Sequence, residues 1–125
     1  DEFTVAVMDD VAFPVIQIVS STGKYDFYSK YAPGVAKHLC PAPISPELTK
    51  EMQDLALNVF HLCHCSGVSR VDIMTDKEGH PFVLEINTVP GMTATSLVPD
   101  AARAVGMSFE DLCEKILLEA SVGKF

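Results

Sequence analysis

Two stretches, Val68–Thr75 and Pro81–Thr88, constrain this chain more than any others. Both are rich in β-branched and apolar residues, and Asp76-Lys77-Glu78-Gly79 between them has the composition of a tight turn. Two such runs around such a turn predict an antiparallel hairpin. Side chains alternate along a strand. Arg70, Asp72 and Met74 therefore share one face of the first strand, and Val83, Glu85 and Asn87 share one face of the second. Val71, Ile73, Leu84 and Ile86 fall on the opposite faces; all four are apolar and are expected to point into a core. Arg70, Asp72, Glu85 and Asn87 are then gathered on the other side, in a register that a slip of one or two residues would alter.

Two carboxylates and an amide oxygen are hard ligands. They suit Mg²⁺, which takes a few protein oxygens and completes its octahedron with phosphate and water. An arginine beside them can hold an anion through its planar fork. A solvated sheet face carrying an ion pair is the plainer alternative. The next segment, Thr88 to Pro99, adds a Pro90-Gly91 turn and a helix start. Gly91 lets a backbone approach a ligand closely, and amides near a helix start suit anions.

The rest of the chain predicts an α+β fold, an antiparallel sheet packed with helices. Phe3–Met8 and Pro14–Val19 read as a hairpin around Asp9-Asp10, and Ala36–Cys40 as a short strand. Lys24–Pro33 reads as an ordered surface loop. Ser45 is an N-cap with Pro46 at the first helical position. Leu48, Met52, Leu55, Ala56, Val59 and Leu62 form the apolar stripe of a helix running to about Cys63. A short helix over Pro99–Val105 closes at Gly106, and Ser108 with Asp111 starts a last helix, Phe109–Ala120.

With 9 basic and 17 acidic residues the net charge is −8, which argues against a nucleic-acid backbone as partner. No apolar run approaches the roughly 20 residues of a membrane span. No signal-peptide pattern precedes the first strand, and the chain is expected to begin inside a domain, at Asp1. His61-Leu62-Cys63-His64-Cys65 is a candidate metal cluster, but no second ligand pair follows it, and a helix end with Cys63 in the core is the stronger reading. The four cysteines are expected to be reduced, in a cytoplasmic protein.

Ser69-Arg70-Val71-Asp72, Leu84-Glu85-Ile86-Asn87-Thr88, Pro90-Gly91-Met92-Thr93 and Ser96-Leu97-Val98-Pro99 closely resemble the D-alanine–D-alanine ligases of the ATP-grasp superfamily. The resemblance reaches back through Tyr25-Asp26-Phe27-Tyr28-Ser29-Lys30-Tyr31 to Glu2-Phe3-Thr4-Val5, and forward to Ala101-Ala102 and the last helix. It implies that residues 1–125 are the C-terminal portion of an ATP-grasp domain. The N-terminal substrate domain and the first half of the ATP-grasp domain would lie upstream.

The resemblance also implies the chemistry: two D-alanine molecules are joined through an acyl phosphate at the expense of ATP, for peptidoglycan and cell-wall synthesis. Asp72, Glu85 and Asn87 would hold two Mg²⁺ ions, or Mn²⁺ in their place, with Glu85 bridging. Arg70 would stabilise the transferring phosphoryl group, and the Gly91 amide would supply an oxyanion donor. Lys30, on a mobile loop, would reach the γ-phosphate, and Tyr31 would help close that loop. Ser96 and Leu97 would hold the second substrate's carboxylate, Glu2 the ribose, and Met74 and Leu84 the adenine. The implied partners are these small molecules and, for the parent enzyme, a second copy in a homodimer. Lys24, where an aromatic residue is usual, and Tyr28-Ser29, in place of an acidic-then-small pair, depart from the family pattern. Another carboxylate–amine ligase and a non-catalytic domain remain open as alternatives.

Overall fold

The computed structural model describes residues 1–20 and 36–122. They build a six-stranded sheet with strands β1 (Glu2–Met8), β2 (Val11–Ala12), β3 (Ile16–Ser20), β4 (Ala36–Leu39), β5 (Val68–Thr75) and β6 (Pro81–Asn87). The order across the sheet is β4-β3-β1-β5-β6, with β2 folded back on the end of β1, and every pairing is antiparallel. Among the described residues there are three helices: α1 (Pro46–Leu62) between β4 and β5, and α2 (Leu97–Ala104) and α3 (Phe109–Glu119) after β6.

The central strand explains the layering. From Phe3 to Met8 every residue of β1 is buried, so both faces of the sheet are covered at its middle. Phe3, Val5 and Val7 on one face join Val71 and Ile73 of β5 against Met52, Ala56 and Phe60 of α1. Ala6 and Met8 on the other face join Ile16 and Ile18 of β3 against α2 and Leu112 of α3. The α2–α3 pair covers only part of that second face. Beside it, on the same face, lie Thr4, Arg70 and Asp72.

Local chemistry accounts for the element ends. Asp9 and Asp10, at φ 51° and 62°, form a two-residue turn that pairs Met8 with Val11. Positive φ at both central residues is the hairpin geometry that matches strand twist. The expected Phe3–Met8 hairpin thus closes first onto Val11–Ala12, and β3 pairs with β1 only from Ile16 onward. Ser45 Oγ accepts from Leu48 N–H at 3.1 Å and caps α1, as the sequence predicts. At the other end of α1, His64 N–H donates to His61 O and Cys65 N–H to Phe60 O, both at 3.0 Å, with His64 at φ 51°. This is a Schellman cap with histidine in the place glycine usually takes.

Two packing expectations change. Leu62 is 79% exposed, and Phe60 takes the place expected of it. At 3.6 residues per turn Leu62 lies roughly 120° around the helix from the buried Ala56 row, whereas Phe60 stays within about 40°. Cys63 is exposed rather than core; Cys65, the residue after the left-handed turn, packs against the core instead. Helix α2 begins at Leu97, two residues before the expected Pro99, with Ser96 as N-cap and Gly106 closing the C-terminus at φ 78°. Strand β4 is tied to α2 by His38 Nδ1 and Asp100 Oδ2 at 3.0 Å, and Asp100 also pairs with Arg103.

Candidate functional site

Three neighbouring strands deliver the site as lateral rows. In the β1–β5–β6 register Thr4 lies opposite Asp72, and Asp72 opposite Glu85. The next row is Ala6, Arg70 and Asn87. Adjacent strands are about 4.8 Å apart, so side chains of one row on one face are neighbours. The four residues expected to gather on the hairpin's polar face, Arg70, Asp72, Glu85 and Asn87, are thus in register across β5 and β6.

Asp72 is 6% exposed. Arg70 grips it with two bonds, Nε to Oδ1 at 2.9 Å and Nη2 to Oδ2 at 3.1 Å. Thr4 Oγ1 donates to Oδ1 at 2.7 Å. A buried carboxylate needs such compensation, and charge-assisted bonds in a fork are the strong kind. The arginine expected to present its fork to an anion therefore has that fork on Asp72 in this structure. Thr4 is the residue that sequence reasoning missed. Its one signal was being the sole polar side chain between Phe3 and Met8.

The hairpin alternation fails at one place. Asp72 pairs with Glu85 but Ile73 pairs with Val83, so Leu84 is an extra residue in β6, a β-bulge. A bulge shifts the alternation by one residue. Val83, expected beside Glu85, instead packs with Ile86 against the α1-side core. Leu84, expected in the core, is 53% exposed and lines a cleft of about 240 Å³ with Glu2, Phe3, Ile18, Asp72, Ile73, Met74 and Glu85. A second cleft of about 280 Å³ shares Glu2, Ile18 and Met74 and extends past Asp1, Gln17, Val19 and Ser20. Apolar Ile18, Met74 and Leu84 together with the carboxylates of Glu2, Asp72 and Glu85 make a lining suited to a flat ring joined to a polar, cation-bearing group.

The residues after β6 form a separate group. Asn87 Oδ1 accepts from Val89 N–H at 3.0 Å. Ser96 Oγ does not cap α2; it turns back to accept from Thr93 N–H at 2.9 Å and lies 2.7 Å from Thr93 Oγ1. A Cβ on Gly91 would stand 2.9 Å from Ser96 Oγ, so a larger residue there would push that hydroxyl off Thr93. Leu97 is buried in the core under α2, which leaves its backbone amide, at the first helical position, as the part able to meet a ligand. Gly91, Ser96 and Leu97 do not line the cleft. Lys30 and Tyr31, with Lys24, Tyr28 and Ser29, lie outside the described residues.

The donors fit a hard cation. Two carboxylates in adjacent register positions and one amide are about the protein share that Mg²⁺ takes, and all are oxygen. No group of three or more His, Cys, Asp or Glu able to hold a metal is present among the described residues, including around His61–Cys65. There, His61 Nε2 meets Asp10 Oδ1 at 2.8 Å. Burial, followed by the neighbouring Cys63, pushes the Cys65 thiol above its ordinary pKa. No helix of the described residues is long and apolar enough to cross a membrane.

Comparison with known proteins agrees with this architecture. The family model described as D-ala D-ala ligase C-terminus matches residues 1–118. A D-alanine–D-alanine ligase of Pelotomaculum thermopropionicum is 50% identical over 109 residues, covering 87% of this chain and 34% of that protein. Among solved structures, the Bacillus anthracis D-alanine–D-alanine ligase complexed with ATP superposes with a TM-score of 0.78 at 30% identity, over 94% of this chain and 37% of that one. The VanG D-Ala:D-Ser ligase of Enterococcus faecalis gives 0.77 at 32%, over 93% and 35%. The chain spans about a third to two-fifths of the length of the curated relatives it matches. With the antiparallel sheet, its helices and the family match over nearly its whole length, the chain belongs to the D-alanine–D-alanine ligase C-terminal family, with the ATP-grasp fold.

Proposed function

We propose that this chain is the nucleotide- and metal-handling C-terminal part of an ATP-dependent ligase that joins two D-alanine molecules for peptidoglycan precursors, in the cytoplasm and as a homodimer. The observation that carries the reading is the cleft in which Glu2, Met74 and Leu84 stand beside the register-paired Asp72 and Glu85. The share of the relatives' length that this chain spans supports placing the first substrate's site and the rest of the ATP-grasp domain upstream.

In this reading Met74 and Leu84 bind the adenine and Glu2 the ribose. Asp72, Glu85 and Asn87 would hold two Mg²⁺ ions. When bound, the ions neutralise charge on the ATP phosphates. The carboxylate of the first D-alanine attacks the γ-phosphate, forming an acyl phosphate and ADP; the amine of the second then attacks the acyl carbon and phosphate leaves. Arg70 and Lys30 stabilise the charge on the transferring group, since phosphoryl transfer depends mainly on positioning and electrostatics. The Gly91 amide donates to the oxyanion. Ser96 and the Leu97 amide orient the second substrate by its carboxylate, and Tyr31 helps exclude water from the acyl phosphate.

The test is phosphate release by the parent protein with ATP, Mg²⁺ and D-alanine. Turnover should require D-alanine, and Asp72→Asn should lower kcat by about a hundredfold or more. Undiminished turnover in that variant would sink the assignment of Asp72. The likeness to a D-Ala:D-Ser ligase favours one second reading, D-serine as the second substrate. A panel of D-amino acids, read as the ratio of kcat/KM values, separates the two.

A further inference from the structure

We propose that Thr4 is a positioning residue for Asp72, fixing the direction in which that carboxylate presents itself to a cation. The inference rests on the reading of Asp72 as a metal ligand.

Thr4 is 1% exposed and sits directly across from Asp72 in the β1–β5 register. Its hydroxyl has one proton and two acceptors within reach, Asp72 Oδ1 at 2.7 Å and Val71 O at 3.2 Å. The shorter bond, to an ionised oxygen, is the stronger. Packing alone does not call for a hydroxyl here: Ala6 and Met8, on the same face of β1 as Thr4, are apolar.

Arg70 also holds Asp72, but the two donors differ in kind. The Arg70 guanidinium ends a long, flexible side chain and is assigned a second task at the transferring phosphoryl group. The Thr4 hydroxyl is one bond from the Cβ of a strand buried on both faces. Thr4 therefore stays on Oδ1 when Arg70 turns toward substrate, and keeps the carboxylate from rotating out of the row it shares with Glu85. Partners that hold a ligand's orientation typically contribute ten- to hundredfold in metal affinity.

The experiment is a Mn²⁺ titration of the chain, free ion read by electron paramagnetic resonance, for the wild type, Thr4→Val, Thr4→Ser and Asp72→Asn. Thr4→Val should weaken Mn²⁺ binding by about tenfold or more, Thr4→Ser should restore it, and Asp72→Asn should lose it. Circular dichroism melting checks that each variant folds; should Thr4→Val not fold, Thr4→Cys, with its weak donor, takes its place in the comparison with Thr4→Ser. Wild-type affinity in Thr4→Val beside lost binding in Asp72→Asn overturns the role of Thr4 and leaves the metal reading intact. Binding in Asp72→Asn as tight as in the wild type, or none in the wild type, overturns the metal reading and this proposal with it.

Discussion

Asp72 is held by groups from two strands, a guanidinium two residues along its own and a hydroxyl on the next. The first partner is legible in sequence, because i and i+2 share a strand face. The second is 68 residues away and becomes visible only once β1 lies beside β5. His64 offers a cleaner test of residue-scale physics. It occupies the left-handed position that ends α1, where a side chain on Cβ is strained. Replacing it with glycine should raise stability by roughly 0.5–1 kcal/mol, read as a higher urea midpoint at unchanged slope. A lower midpoint would mean that the imidazole contributes more than the strain costs.

Among the elements, β6 carries the most consequence for its length. One extra residue at Leu84 moves Val83 into the core and sends Leu84 to the cleft. Strict alternation placed these two the other way round, while family resemblance placed Leu84 in the nucleotide pocket; the bulge reconciles Leu84's apolar character with that face. Leu84→Ala should therefore cost little stability, under about 1 kcal/mol, whereas the fully buried Ile73→Ala should cost about 2–5 kcal/mol. Equal losses in thermal melts would place Leu84 in the core after all. The turn that launches β6 is built from its own side chain: Asp76 Oδ1 accepts from His80 N–H at 2.8 Å and Glu78 N–H at 2.9 Å. The backbone N–H of His80 is the main reason the Asp76 carboxyl is held below its ordinary pKa.

For the whole molecule, among the described residues α1 packs on β1, β2, β5 and β6 from one side while α2 and α3 cover part of the other, and the candidate site lies on that second face beside them. The described residues would cover a nucleotide lying there on one side alone. The isolated chain should accordingly show no D-alanine-dependent phosphate release under conditions where the parent protein turns over; robust turnover by the chain alone would show that no further part is needed.

The sequence by itself determined what is local: the β5–β6 hairpin, the Ser45 and Ser108 caps, the helix stripes, and the gathering of Arg70, Asp72, Glu85 and Asn87 on one face. These follow from side-chain period and from bonds spanning a few residues. Tertiary structure decided the strand order that sets Thr4 and Glu2 beside β5, the bulge that turns Leu84 outward, and the part of the second face on which α2 and α3 pack. Such features depend on which distant strand wins a pairing and where a helix finds apolar surface to bury, and no periodicity within one segment records that competition.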